Sequence, residues 1–171
     1  MATKAKTPAK KAAKKAVNYP VSSIYQGPRK IDVKQLPAEF SRADIEFIGI
    51  DHSGASYEAR VFVNNPKANA ETPATDANGY AGSYHIFGHG GCFGDVGHCD
   101  IHKVVDAFDP RPSHPLEPIR KVVIATDAIK QAVAQGGEIT ITVVPLIRSW
   151  TEKSEVKDVM KFDHINVVCY D

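Results

Sequence analysis

Apolar and polar residues alternate with a period of two in several short runs, the pattern of strands that bury one face. Over 44–50, Ile45 and Phe47 stand opposite Glu46. Over 57–63, Val61 and Val63 stand opposite Arg60. Ser53 and Gly54 lie between these two runs, so the pattern predicts a hairpin. Further strands are predicted over 81–87, 121–125, 138–144 and 162–170. The strongest of these sets Ile139, Ile141 and Val143 against Thr140 and Thr142. One segment changes period: Ala128, Ile129, Ala132 and Val133 form a stripe at helical spacing. Thr126 reads as the N-cap of that helix, Asp127 suits the positive end of its dipole, and Gly136-Gly137 stops it. At least six strands and a single short helix, without regular alternation, exclude a parallel sheet with crossover helices. They predict an all-β antiparallel β-sandwich.

The stretches between strands divide the chain. Residues 1–16 hold six lysines, no acid and almost nothing apolar beyond alanine, so they are expected to form a disordered basic tail. Residues 17–43, punctuated by Pro20, Pro28 and Pro37, read as an extended arm with one or two short strands, and 44–171 as the sandwich domain. Residues 64–79 form a long polar loop without periodicity, the kind that often serves as a functional rim.

Charge sharpens the division. The net charge of +1 hides 15 basic and 20 acidic residues beyond the tail, so a basic segment precedes a mildly acidic domain. The tail is read first as solubilising. Contact with nucleic acid or another acidic partner is the weaker alternative, because no aromatics interleave with the lysines. No apolar run reaches membrane-spanning length and no apolar stretch follows the first lysines as in a secretory signal, so no membrane contact and a cytoplasmic location are expected. Three cysteines, an odd number, fit a reducing compartment better than a disulfide framework.

Candidate chemistry concentrates in 84–102. This stretch holds four of the seven histidines (His85, His89, His98, His102) and two of the three cysteines (Cys92, Cys99), with five glycines that let the backbone fold tightly. Thiolate and imidazole are the ligands that suit Cu(I) and, second, Zn(II). The spacing H-x3-H-x2-C-x5-H-C-x2-H fits no standard zinc finger, so the signal is one of density. The plainer alternatives are a sheet position for His85, a disulfide or buried thiols for Cys92 and Cys99, and a surface position for His102. Asp51-His52-Ser53 are adjacent and cannot build a catalytic triad. No G-x-S-x-G elbow or phosphate-binding loop occurs.

The runs R-V-F-V-N-N-P (60–66), G-Y-A-G-S-Y-H-I-F-G-H (79–89), T-D-A-I-K (126–130), E-I-T-I-T-V-V-P (138–145) and K-F-D (161–163), in that order, resemble the C-terminal β-sandwich of tyrosinases, polyphenol oxidases and molluscan haemocyanins. The match covers roughly 44–170 and departs after K-F-D, where His164 replaces the usual apolar residue. The resemblance implies a jelly-roll-like sandwich. It also implies that the catalytic copper domain is a separate helical unit, for which this chain is too short, so no family copper ligand carries over. In the family this sandwich covers the copper site, often with an inserted bulky side chain, and in some members a cysteine-bearing loop helps deliver copper. By that likeness Phe93 is the candidate placeholder, and Cys92 and Cys99 are the candidate copper-handling thiols.

The expected function is therefore a non-catalytic accessory module that binds copper, a tyrosinase-like partner, or both through 85–102. Its metal candidates are His85, His89, Cys92, His98, Cys99 and His102. The alternatives are a structural or self-associating sandwich without metal, and a metal-dependent enzyme using His85, His89, His98 and His102 around an open coordination position.

Overall fold

The computed structural model describes residues 14–20, 29–90, 95–97, 100–101, 108, 116–147 and 159–171. They form eight strands: β1 (Lys14–Pro20), β2 (Arg29–Asp32), β3 (Arg42–Ile50), β4 (Tyr57–Val63), β5 (Tyr80–Ile86), β6 (Ile119–Ile124), β7 (Glu138–Leu146) and β8 (His164–Tyr170). One α-helix, α1 (Thr126–Gln135), lies between β6 and β7. The strands make two sheets ordered β1-β8-β3-β6 and β2-β7-β4-β5, and every pairing is antiparallel. Successive strands alternate between the sheets except β4 and β5, which pair with each other, and this is the eight-stranded order of a double Greek key, the jelly roll. The expected all-β sandwich is the observed fold.

The expected hairpin between the runs 44–50 and 57–63 is not formed. β3 pairs with β6 and β8, while β4 pairs with β5 and β7 in the other sheet. Alternation fixes which face of a strand is buried, but the strand's partner is set by long-range packing. The turn at 51–56 therefore crosses from one sheet to the other. Its first residue bridges to the end of the chain, with Asp51 N–H donating to the Lys161 carbonyl at 3.0 Å.

The segment read as an arm supplies a strand to each sheet. β1 runs along β8 with Val17 opposite Val167, and β2 along β7 with Ile31 opposite Ile139. β1 begins at Lys14, inside the stretch expected to be a tail, because the free edge of β8 continues as far as Cys169. Residues 1–13 lie outside the described residues.

Between the sheets, Ile45, Phe47, Ile50, Val61, Ile139, Ile141, Ile165 and Val167 are all buried. Phe47 links the layers: its ring centroid lies 4.7 Å from Tyr84 of the opposite sheet and 5.5 Å, edge-on, from Phe162. Aromatic pairs at such spacings add to what their buried area contributes. Burial pushes the Tyr57 hydroxyl up to about 12, and the nearby negative charge of Asp51 adds to the shift. Burial raises Tyr84 further, so both phenols stay neutral.

The helix covers one end of the sandwich through Ile129 and Ala132. Thr126 is its first residue rather than its cap, and Ala125 stands at the N-cap without a side-chain bond. The Thr126 hydroxyl instead accepts from the Ala43 N–H at 3.1 Å, and Ala125 N–H donates to the Ala43 carbonyl at 2.9 Å. The hydroxyl that a local reading assigns to the helix is thus used to fasten the helix to β3.

Candidate functional site

The His/Cys-rich segment leaves the sandwich at the end of β5. Inside that strand Tyr84 and Ile86 point into the core, so His85 between them faces outward. His85, Glu58 and Leu146 are in register on β5, β4 and β7 and form a row across the outer face. Glu58 is held by Arg60, whose Nε donates to Oε1 at 3.1 Å. Phe87 follows, 84% exposed, and with Ser56, Tyr57 and Ile86 completes a groove of about 280 Å³ around this row. A phenyl ring so exposed beside Leu146 is an apolar feature that sequence periodicity did not single out.

The next three residues are clamped to the 51–56 turn. Gly88 N–H donates to the Ser56 hydroxyl at 3.0 Å, His89 N–H to the His52 carbonyl at 3.1 Å, and Gly90 N–H to the Gly54 carbonyl at 2.8 Å. Position 88 accepts no side chain: a Cβ there would stand 2.2 Å from the Gly54 oxygen and 2.4 Å from the Ala55 carbonyl carbon. Glycine is what allows the loop to lie on the turn.

His52, weighed in the sequence only as part of the Asp51-His52-Ser53 run, belongs to the base of this loop. It is buried, its Nε2–H donates to the Glu117 carbonyl at 2.9 Å, and its ring packs edge-on against His89 with centroids 5.1 Å apart. The carbonyl partner can only accept, so it requires a proton on Nε2. No local signal marks the contact with His89, because it is made across the turn between two distant segments. Asp51 is occupied by Ser53, accepting from its N–H at 2.9 Å and its hydroxyl at 2.7 Å. Burial opposes ionisation of Asp51, but these bonds, with Lys161 and His52, outweigh it and lower its pKa. Ser53 is therefore tied to Asp51, while Nε2 of His52 is directed to Glu117, so these three residues are arranged as a turn.

Among the expected metal candidates, His85 and His89 are described, and both are exposed. Cys92, Phe93, His98, Cys99 and His102 lie outside the described residues. Asp95, Val96 and Gly97 are exposed, and Asp100 N–H donates to the Gly97 carbonyl at 3.1 Å. Among the described residues no three His, Cys, Asp or Glu side chains converge as a metal site would require. The described cysteine, Cys169, is buried in β8, and burial, with Asp44 adding, pushes its thiol up to about 11.

A second concavity, about 650 Å³, lies between α1 and the polar loop 64–79. It is lined by side chains of both elements and by the start of β5, away from the His/Cys segment.

Among the described residues no helix is long and apolar enough to cross a membrane. No family model matches the chain, and no curated protein sequence matches it. A structural match exists to a latent aurone synthase, a polyphenol oxidase from natural source, with 14% identity and a TM-score of 0.39. It covers 96% of this chain and 25% of that one, so the chain spans about a quarter of the matched protein's length. The chain thus has a distant structural similarity to a polyphenol oxidase.

Proposed function

We propose that this chain is a non-catalytic accessory module that acts on a tyrosinase-like copper oxidase through the loop 85–102, and that the loop captures copper. The observation that carries the reading is the rigid seat of that loop. Three main-chain N–H groups, bonded to the Ser56 hydroxyl and to the His52 and Gly54 carbonyls, fix residues 88–90 on the 51–56 turn, and the same place presents Phe87, His85 and His89 outward. A rigid base with exposed aromatic and imidazole groups suits a surface that inserts into a partner's cleft.

The donor set fits the cargo. Imidazoles of His85, His89, His98 and His102 with thiolates of Cys92 and Cys99 are soft ligands suited to Cu(I), and less selectively to zinc. Copper held there would pass to the partner by exchange of one ligand at a time, with no bond in an organic substrate made or broken. Phe93, between Cys92 and Gly94, is the side chain proposed to occupy the oxidase's substrate cleft.

The test is to add the chain to a copper-loaded tyrosinase-like oxidase lacking its own C-terminal sandwich and to follow diphenol oxidation. The module should inhibit in a saturable way, and Phe93→Ala or Phe87→Ala should weaken inhibition by about tenfold, as removal of a central aromatic anchor does. Unchanged oxidase activity at high module concentration would remove the partner claim.

One observation favours a second reading, a structural protein that associates with itself. Among the described residues β6 is an edge strand of its sheet, and it exposes Val122 and Ile124. An apolar free edge is a template for pairing with another strand. Sedimentation that stays monomeric at high concentration counts against it.

A further inference from the structure

We infer that the cleft between α1 and the loop 64–79 is a binding site for a neutral saccharide, a ligand distinct from anything the His/Cys loop would take. At about 650 Å³ it has the volume of a small-ligand site. Its lining is divided. Tyr80 and Ile124 supply an apolar wall, with Ile124 61% exposed although it sits at the end of a strand. Asn65, Asp76, Asp127 and Gln131 supply hydrogen-bonding groups around it. A sugar ring has the matching division, a C–H face and an equatorial belt of hydroxyls that both donate and accept.

Charge excludes the obvious competitors. Among the described residues no Lys, Arg or His lines the cleft and two carboxylates do, so phosphate and carboxylate ligands are repelled. The two acids are not joined by a third His, Cys, Asp or Glu into a converging cluster among the described residues. The amides and Tyr80 favour a neutral polyhydroxyl over a cation.

The wall is built before any ligand arrives. Asn65 Nδ2 donates to the Asn78 carbonyl at 2.8 Å and Asn78 Nδ2 to the Thr75 hydroxyl at 2.9 Å, which closes the loop on itself. Asn64 has a left-handed backbone (φ 55°), and its Nδ2 donates to Gln135 Oε1 at 3.0 Å, joining the loop to the helix. Its Oδ1 accepts from Thr140 N–H at 3.0 Å. Gly79, at φ 74°, lies so close to β4 that a Cβ would stand 2.1 Å from the Val63 oxygen. Tyr80 is steadied by Phe62, ring centroids 5.7 Å apart. A polar loop of this length is thus pinned at several points, and a preorganised rim lowers the cost of binding a weak, heavily hydrated ligand.

The experiment is saturation-transfer NMR on the full chain with glucose, galactose, mannose, N-acetylglucosamine and their β-linked disaccharides at millimolar concentration, with putrescine and inorganic phosphate as charged probes. At least one sugar should receive saturation on its ring C–H protons. Asp127→Asn and Gln131→Ala, both surface changes, should each weaken that binding at least fivefold while leaving the thermal midpoint in place. No transfer to any sugar, binding of putrescine alone, or sugar binding indifferent to both substitutions would overturn the assignment.

Discussion

Phe47→Ala should be the most damaging single substitution in the sandwich, lowering stability by about 3–5 kcal/mol. Phe47 has no exposed surface and stands where β3 meets both Tyr84 of the opposite sheet and Phe162 of the K-F-D segment. Removing its ring leaves a cavity between two sheets that strand pairing on both sides of β3 keeps from closing. Urea unfolding followed by tyrosine fluorescence and far-ultraviolet circular dichroism should show the shift. Val122→Ala, at a half-open position on the edge strand β6, should move stability by less than about 0.5 kcal/mol. Equal effects of the two changes would mean that the core is not where these contacts place it.

The second large effect is expected at Gly88. A methyl group there meets main-chain atoms of Gly54 and Ala55, and neither can rotate away as a side-chain tip could. Gly88→Ala should cost about 1–3 kcal/mol, the usual range for overpacking. It should also detach the loop from its seat, so the amides of His89 and Gly90 lose hydrogen-exchange protection. Gly54→Ala makes the control, because a Cβ there has no atom within 4 Å. Full protection of both amides in Gly88→Ala would show that the clamp does not depend on this close approach.

Both predictions rest on features that the sequence disclosed unevenly. The inward residues of β3, β4 and β7 were legible because alternation between Ile, Val and polar neighbours is a local property. Their partners were not, and the expected hairpin failed because β3 and β4 answer to different sheets. β1 and β2 fall in what was read as the end of the tail and an arm with one or two short strands, without bounds or partners. Pro20 and the shortness of β2 blur the pattern, and pairing with β8 and β7 makes these segments strands. Thr126 illustrates the same limit: a residue suited to capping is recruited by Ala43 of β3, 83 residues away in sequence.

The candidate site was legible as a density of histidine and cysteine, and its entrance shows what that density could not. The contact of His89 with His52, the exposure of Phe87 and the need for glycine at 88 all arise where the loop lies on the turn that carries the chain from β3 to β4. The cleft beside α1 had a different signal, the long Asn-rich loop 64–79. The sequence marked that loop as a rim, but its contact with the helix through Asn64 and Gln135 is visible only in three dimensions.

The central claim is that the loop 85–102 handles copper, and a Cu(I) competition titration on reduced full-length protein tests it most directly, with the Cys92→Ser/Cys99→Ser double variant beside it. The account predicts tight, near-stoichiometric Cu(I) binding by the wild-type chain and a loss of at least a hundredfold in affinity in the variant, with the fold unchanged by circular dichroism. A chain that does not compete for Cu(I), or a variant that binds as tightly as the wild type, would contradict it and leave a structural or partner-binding sandwich.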